Sequence, residues 1–377
     1  MRKTTKVMVV LGVILFLSGI MKCSMAKDKR VDGSKYIMLK WTQEKLGEIG
    51  NMKVSNDVIY VEAASDEGPK LYAIDIKSGE VLGSKSVNPG YRLRGVSKKA
   101  IYLARGDYFE VFDRIMWKKI WGKEIYEPRS LWIFECGLIY EDDDRDDYGY
   151  YEFVSMLDEA TGKPLWKFRT FDGPKQCGED FFFTSYDRNK SGRYINPKFY
   201  RLSLVDGKIS VTTRKFCPDG WYLVDKIGNN FWVIVNFHKI GLLDMNSGQI
   251  KWEKDLEIPI WAPIVDTING VVIIFSHVEH GDTAYTLWYG INTTDGKTRW
   301  KKWAKENSSE LYGVKWSEIV NGLLLIGKRK KLILMDTLTG EILTQQEISV
   351  SHRDIEICGD MVIIRKTKRL KGYQIKR

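Results

Sequence analysis

The stretch Leu71-Tyr72-Ala73-Ile74-Asp75-Ile76-Lys77-Ser78-Gly79-Glu80 contains a phrase that recurs along the 377-residue chain. Its apolar residues alternate as in a half-buried strand, and its aspartate can accept hydrogen bonds from the turn that it opens. Its glycine supplies the positive φ that closes such a turn. The same pair of positions returns as Asp158 and Gly162, Asp244 and Gly248, Asn292 and Gly296, and Asp336 and Gly340, with a reduced copy at Asp206 and Gly207.

The spacing of these glycines indicates a repeat of about 43 residues, which is the period of a propeller blade. One interval, from Gly79 to Gly162, has twice that length. A further copy is therefore predicted near residue 117, where Asp113 is kept and Trp117 stands in place of the glycine. Tryptophan also follows the repeat glycine by four residues in several copies, as Trp166, Trp252 and Trp300, with Trp121 counted from Trp117. A ring that recurs once per repeat is expected to pack neighbouring repeats together.

A second series of apolar runs gives the number of repeats. Each run follows polar or glycine-containing turn residues, the pattern of a β-hairpin. The runs are Val58–Val61, Ile101–Leu103, Leu138–Tyr140, Phe181–Phe183, Phe231–Val235, Val271–Phe275, Leu323–Ile326 and Val362–Ile364. They predict an all-β, eight-bladed propeller of four-stranded antiparallel blades, with seven blades as the alternative.

The two ends of the chain are predicted to close the ring. After the eighth run only Lys371–Arg377 remains, which is enough for a third strand but not for a fourth. The segment Lys35–Thr42 is one strand before the first full unit, and its Trp41 resembles the repeat tryptophan. We therefore expect this strand to complete the last blade, so that residues 27–377 form one domain without free sheet edges.

The phrase of aspartate, Ser or Thr, glycine and tryptophan resembles the repeat of the pyrroloquinoline-quinone-like propeller superfamily. That superfamily includes quinoprotein alcohol dehydrogenases and the propeller lipoprotein subunit of the outer-membrane β-barrel assembly machinery. The resemblance covers nearly the whole chain after the leader, and it implies a fold more specifically than an activity. It is nearer to the assembly-machinery subunit than to the dehydrogenases.

The residues argue against catalysis. The dehydrogenases of the superfamily hold a quinone and a calcium ion and carry a disulfide between adjacent cysteines, and this chain has no two adjacent cysteines. Asp142, Asp144 and Asp146 alternate like the start of a calcium loop, but Asp147 stands where that loop needs glycine. His277 and His280 have no third ligand nearby. We therefore predict no catalytic, cofactor-binding or metal-binding residues, and a quinone- and calcium-dependent oxidoreductase is the alternative.

Residues 1–26 have the pattern of a signal peptide. Arg2, Lys3 and Lys6 precede the apolar run Val7–Met21, and Ser24-Met25-Ala26 offers a cleavage site after Ala26. The apolar run would rise only about 22 Å as a helix, against a bilayer core of about 30 Å. The prediction is export to the periplasm or the exterior, with an uncleaved membrane anchor as the alternative. The bulky residues before Cys23 argue against lipid attachment there.

Charge and cysteine content exclude several other classes. The chain has 59 basic and 49 acidic residues, and four of the basic ones lie in the leader. This excess does not imply nucleic-acid binding. A basic sector at Lys328–Lys331 and Arg365–Arg377 leaves two readings open, solubility or attraction to an anionic envelope surface. Four cysteines after the leader are too few to form a disulfide framework for a domain of this size, and Cys177 with Cys217 is the one disulfide to consider.

The longest links between predicted strands all fall on one face of the propeller, and they are predicted as loops at Ser65–Lys70, Glu141–Tyr150, Tyr186–Pro197 and His277–Ala284. Long loops on a rigid scaffold are where binding residues concentrate. Aromatic anchors for a protein partner are predicted there, centred on blades three to five, at Tyr148, Tyr150, Tyr186, Tyr194, Trp221 and Trp261. The predicted function is a monomeric, non-catalytic scaffold that binds proteins in the cell envelope. An extracellular glycan-binding module is a further alternative.

Overall fold

Each of the eight apolar runs forms the second strand of a four-stranded antiparallel sheet in the computed structural model. The structure describes residues 35–125, 131–134, 137–146, 149–170, 175–177, 180–188, 194–203, 209–213, 221–228, 230–256, 258–280, 283–305, 314, 316–328, 331–348 and 354–377. Within these residues the strand order of all eight sheets is that of propeller blades, which confirms the predicted fold.

The strands follow one another in chain order, four to a blade. The first strand is β1 (Ile37–Gln43). Blade 1 has β2 (Glu48–Ser55), β3 (Val58–Ser65), β4 (Gly68–Asp75) and β5 (Val81–Ser86). Blade 2 has β6 (Arg92–Val96), β7 (Ala100–Arg105), β8 (Tyr108–Asp113) and β9 (Lys119–Glu124). Blade 3 has β10 (Leu131–Phe134), β11 (Gly137–Asp146), β12 (Gly149–Leu157) and β13 (Pro164–Thr170). Blade 4 has β14 (Lys175–Cys177), β15 (Asp180–Arg188), β16 (Tyr194–Ser203) and β17 (Ile209–Thr213).

The second half of the ring repeats the arrangement. Blade 5 has β18 (Tyr222–Ile227), β19 (Phe231–Val235), β20 (Lys239–Asp244) and β21 (Gln249–Asp255). Blade 6 has β22 (Trp261–Asp266), β23 (Val271–His280), β24 (Thr283–Asn292) and β25 (Thr298–Lys305). Blade 7 has β26 (Trp316–Val320), β27 (Leu323–Lys328), β28 (Lys331–Asp336) and β29 (Ile342–Gln346). Blade 8 has β30 (Ile355–Cys358), β31 (Met361–Lys366) and β32 (Arg369–Ile375), and its fourth strand is β1.

The first strand closes the ring, as the chain ends predicted. β1 pairs antiparallel with β32, from Ile37 opposite Ile375 to Gln43 opposite Leu370. Blade 8 is thus built from both ends of the described chain. A core cluster that includes Trp41, Ile59 and Ile363 then joins blade 8 to blade 1.

The repeat phrase builds the same turn in each copy that lies within the described residues. In blade 1, Asp75 Oδ1 accepts the backbone N–H groups of Lys77 and Ser78 at 3.0 and 2.7 Å. Gly79 donates its N–H to the Asp75 carbonyl at 2.9 Å and has a φ of 75°. Trp117 makes the same bond to the Asp113 carbonyl at 2.9 Å with a φ of 57°. The copy without glycine therefore keeps the turn, and a tryptophan adopts the left-handed conformation.

The repeat tryptophans join blades 8, 2, 5 and 6 to the blades that follow them. Trp41 Nε1 donates to the Ile76 carbonyl at 2.9 Å, and its ring covers Gly79, where a Cβ would lie 2.5 Å from ring carbon. Three further tryptophans make the corresponding bond at 2.8 Å to a carbonyl of the following blade, namely Trp121 to Glu159, Trp252 to Thr293 and Trp300 to Thr337. The turn that would receive Trp166 lies outside the described residues. The hydrophobic core clusters also run between consecutive blades, so packing between blades holds the ring together.

Candidate interaction surface

The hairpins between second and third strands share one end of the propeller with the links between blades, and we call this end the hairpin face. Strands of five to seven residues form these hairpins in blades 2, 5, 7 and 8. Blades 3, 4 and 6 have longer ones, built from β11–β12, β15–β16 and β23–β24 with nine or ten residues in each strand. In blade 6 the ladder continues to the pair His280–Thr283, whereas in blade 7 it ends at Lys328–Lys331. The additional residue pairs extend blade 6 at the hairpin face.

Several segments that were expected to be loops are strands in the structure. Asp142–Asp146 belongs to β11, where Asp142 pairs with Phe153 and Asp146 with Gly149, so this acidic segment is not a calcium-loop backbone. Strand pairing also extends to Arg188 in blade 4 and to His280 in blade 6. The hydrophobic pattern failed to show these extensions because polar residues on both faces of a strand resemble a loop.

The predicted aromatic anchors take different positions. Tyr150, Tyr186 and Tyr194 lie in the strands of the long hairpins of blades 3 and 4, and Trp261 is the first residue of β22. Trp221 does not fit the expectation, because its side chain is only 1% exposed and belongs to the core cluster of blade 5. A large apolar ring gains more from burial than from display on the surface. Tyr148 lies outside the described residues.

Among the described residues of this face, the structure instead exposes other aromatic side chains. Phe237, in the hairpin turn of blade 5, is 62% exposed, and Trp303, near the end of β25 in blade 6, is 55% exposed. Tyr285, at the start of β24, meets the Trp303 ring edge-on with 5.8 Å between ring centroids. The ammonium group of Lys301 lies 5.3 Å from the Trp303 centroid. These side chains hold one face of the indole in place and leave the rest open to a partner.

The sequence contained a signal for both residues. Trp303 lies three positions after Trp300, outside the repeat frame, so the packing that buries Trp300 does not use it. Phe237 stands between Asn236 and His238, in a turn where polar residues are the rule. An aromatic residue outside the periodic pattern was the feature to look for.

A polar cavity of about 700 Å³ lies on the propeller axis between the inner strands of blades 7, 8, 1 and 2. Charged side chains line it, namely Lys53, Arg94, Glu318, Glu356 and Arg365, together with Asn51 and several apolar residues. Lys53 forms an ion pair with Glu356 at 2.6 Å. Arg365 pairs with Asp354 at 2.7 Å and also donates to the Gly50 carbonyl.

The basic sector predicted on blades 7 and 8 is partly used inside the protein. Arg365 points into the axial cavity rather than to the outer surface. Arg369 pairs with Glu44 at 3.0 Å, and Arg377 donates to the Asn269 side chain at 3.0 Å. These arginines therefore contribute to contacts within the ring, and the expected attraction to an anionic surface stays a prediction for the lysines of this sector.

The remaining sequence predictions concern metal ligands, a membrane-spanning segment, a disulfide and the signal peptide. Among the described residues, no three His, Cys, Asp or Glu side chains are grouped closely enough to hold a metal ion. In the same part of the chain, no helix combines the length and apolar character required to cross a bilayer. Cys217 and residues 1–26 lie outside the described residues, so the Cys177–Cys217 pairing and the signal peptide stay predictions.

Comparison with solved structures supports the fold. The quinohemoprotein alcohol dehydrogenase of Comamonas testosteroni aligns with a TM-score of 0.56 and 11% identity, over 92% of this chain and 78% of that one. Sqt1 of Saccharomyces cerevisiae aligns with a TM-score of 0.53 and 9% identity, over 89% of this chain and 98% of that one. The quinohemoprotein alcohol dehydrogenase ADHIIG of Pseudomonas putida HK5 gives a TM-score of 0.53 and 12% identity, over 90% and 76%. At such identities the likeness concerns the fold alone.

Sequence comparison identifies the family. No curated protein is significantly similar in sequence to the chain. The family model described as outer membrane protein assembly factor BamB matches residues 151–367, which is more than half of the 377 residues. The matched range runs from β12 in blade 3 to the turn before β32 in blade 8. The chain therefore belongs to the BamB family of outer membrane protein assembly factors, within the pyrroloquinoline-quinone-like propellers.

Proposed function

We propose that this protein is a non-catalytic, exported propeller that binds partner proteins in the cell envelope through the hairpin face of blades 3 to 6. The observation that carries the proposal is the pair of exposed aromatic side chains, Phe237 and Trp303, on neighbouring blades of that face. A tryptophan with more than half of its surface in water loses the stabilisation that burial would bring. Contact with a partner would recover it, and tryptophan is enriched among the residues that dominate interface energetics.

The long hairpins of blades 3, 4 and 6 support the same face. They extend the rigid sheets beyond the rest of the ring and carry Tyr150, Tyr186 and Tyr194. Strand-borne side chains lose less conformational freedom on binding than side chains on irregular loops, which favours recognition. Membership of an outer membrane assembly factor family and the predicted leader are both in keeping with export to the envelope.

The experiment is site-specific photocrosslinking in the native envelope. A photoreactive amino acid at Trp303 is expected to capture one or more partner proteins in discrete adducts. The matched control is Leu165, which has the same 55% exposure but lies at the start of β13, at the end of the blade opposite the hairpin face. The same amino acid is also placed at Phe237. Equal capture at positions 303 and 165, or no capture at position 303 or at position 237, would contradict the proposed binding face.

We also propose that the protein is not an enzyme. Titration with pyrroloquinoline quinone and Ca²⁺ is expected to produce no saturable change in the quinone absorbance and no dye reduction with alcohol substrates. Saturable binding with substrate-dependent dye reduction would establish the oxidoreductase alternative instead.

A further inference from the structure

The inner strand of blade 2 contains a β-bulge at Arg94. Leu93 pairs with Leu103 and Gly95 pairs with Tyr102, so Arg94 has no counterpart on β7. A bulge inserts one extra residue into a strand and redirects the side chain at that point. The Arg94 side chain is exposed and lines the axial cavity.

Blade 1 holds this bulge in place through a buried carboxylate. Glu62 is 7% exposed, and its Oε2 accepts the Leu93 N–H at 2.6 Å while Oε1 accepts Arg92 Nη1 at 2.9 Å. On the other side, Asn51 Nδ2 donates to the Leu93 carbonyl at 3.1 Å. Both backbone polar groups of Leu93 are therefore bound by side chains of blade 1. Since Leu93 directly precedes Arg94, these bonds fix the backbone from which the guanidinium group projects.

The residue facing Glu62 is adapted to this arrangement. Gly50 lies in the bulge of β2, and a Cβ there would be 2.1 Å from Glu62 Oε1. Any other residue would displace the carboxylate that holds Leu93. Burying a carboxylate is costly unless it is hydrogen-bonded, and the bonds to Leu93 and Arg92 engage both oxygens of Glu62.

The charges of the cavity leave Arg94 free to bind a ligand. Lys53 is paired with Glu356, and Arg365 is paired with Asp354. Within the described part of the chain, the Arg94 side chain forms no ion pair or hydrogen bond. The cavity volume of about 700 Å³ falls within the range of about 300 to 1,000 Å³ of ligand sites. A guanidinium group held in place matches the two oxygens of a carboxylate.

The cavity lies toward the hairpin face. The inner strands begin at that face, with Asn51 in the first half of β2 and Arg94 at the middle of β6. Arg365 is the last residue but one of β31, which ends at that face. A partner polypeptide that continues from blades 5 and 6 across the axis at this face would therefore reach the cavity, which is lined by blades 7, 8, 1 and 2. We propose that the axial cavity receives an acidic side chain of the partner polypeptide, with Arg94 as the group that binds its carboxylate, an inference that rests on the function proposed above.

The test uses the full chain and two labelled peptides of Gly–Glu and Gly–Gln repeats, with binding followed by fluorescence anisotropy at low salt. The acidic peptide is expected to bind and the glutamine peptide is not. Arg94→Gln should weaken binding of the acidic peptide at least tenfold. The control Arg105→Gln, at an exposed arginine of the same blade outside the cavity, should leave the affinity unchanged.

Acidic-peptide binding that survives Arg94→Gln, or equal binding of the glutamine peptide, would overturn the inference. Circular dichroism of the variants checks that the fold is kept. The two proposals fail separately. A lack of partner capture at positions 237 and 303 would contradict the proposed function. An unchanged affinity of the acidic peptide for Arg94→Gln would contradict only the proposed role of the cavity.

Discussion

At the scale of single residues, the turn aspartates act through hydrogen bonds more than through charge. The backbone N–H and the hydroxyl of Ser78 hold the pKa of the Asp75 carboxyl below its ordinary value. The hydroxyl of Thr161, with the backbone N–H groups of its turn, does the same for the pKa of Asp158. Blade 6 has Asn292 at this place and keeps the turn, with a Gly296 φ of 68°. The amide oxygen of Asn292 accepts the Thr294 N–H at 3.4 Å, so an uncharged oxygen can take the place of the carboxylate in this turn.

Asp75→Asn should accordingly change the acid sensitivity of the fold more than its stability at neutral pH. A carboxyl whose pKa is lower in the folded state contributes stability above its unfolded pKa of about 3.9, and this contribution is lost as the pH falls through the folded value. The variant should lose less free energy of unfolding between about pH 5 and pH 2 than the parent does. Urea unfolding at a series of pH values measures this, with Asp66→Asn, an exposed turn residue of the same blade, as the control. An identical acid-dependent loss in Asp75→Asn and the parent would show that the charge has no such role.

The repeat glycines are required for two reasons that can be separated. Gly340 has a φ of 69°, and a Cβ there would lie 2.7 Å from the Trp300 ring. Gly106 has a φ of 57° but nothing within 4 Å of an added Cβ. Gly340→Ala should cost about 3 kcal/mol, from backbone strain and loss of the tryptophan contact, and Gly106→Ala about 1 kcal/mol, from strain alone. Chemical unfolding followed by tryptophan fluorescence compares them, and equal costs would mean that the indole contact adds nothing.

At the scale of the blades, the interface between blades 1 and 2 takes its tryptophan from the second blade of the pair instead of the first. The outer strand of blade 1 has Gly83 where blades 2, 3, 5, 6 and 8 have tryptophan, and blade 2 has Trp117 where blades 1, 3, 5, 6 and 7 have the turn glycine. The Trp117 ring lies in the core cluster between these blades, with 6.3 Å between its centroid and that of Tyr60 in blade 1. The indole is therefore retained in this interface, but the opposite blade supplies it.

A double-mutant cycle tests this exchange. Trp117→Gly alone should destabilise the protein by about 2 kcal/mol, because the lost ring contacts outweigh the relief of the left-handed backbone. Gly83→Trp alone should also destabilise, since Trp117 already fills the interface. The double variant should recover at least about 1 kcal/mol relative to the sum of the single changes. Additive effects in equilibrium unfolding would show that the two positions do not share one site.

At the scale of the whole ring, closure depends on a strand that is distant in sequence from its partner. β1 covers the edge of β32 and brings Trp41 onto the turn of blade 1. A chain that begins at residue 44 should melt at a lower temperature than a chain that begins at residue 35, and it should self-associate because an open edge pairs with other chains. Size-exclusion chromatography and thermal unfolding measure both effects. Addition of a peptide of residues 35–43 should restore the monomer and the midpoint, and a chain that is unaffected by the deletion would refute this role of β1.

The periodic features of the molecule could be predicted from the sequence. The blade count, the turn at Asp75 and Gly79 and the closing strand with Trp41 were all recognisable, because each depends on residue types at a fixed spacing. Non-periodic features were less accessible. Trp221 was assigned to the surface and is buried, and Asp142–Asp146 was assigned to a loop and is a strand. Exposure and strand extension depend on neighbours that local composition does not identify.

The sequence by itself determined a closed ring of eight repeats, since the repeat carries its turn, its strand and its packing residue within about 43 positions. Only the tertiary structure decided which aromatic side chains face solvent and which charges meet on the axis. Lys53, Arg94 and Arg365 line the cavity there from three blades, and Glu62 and Asn51 hold the bulge from which Arg94 projects. Such a cavity has no sequence signature, because the ring brings its residues together from positions up to about 300 apart and the bulge breaks the strand period that a pattern would need.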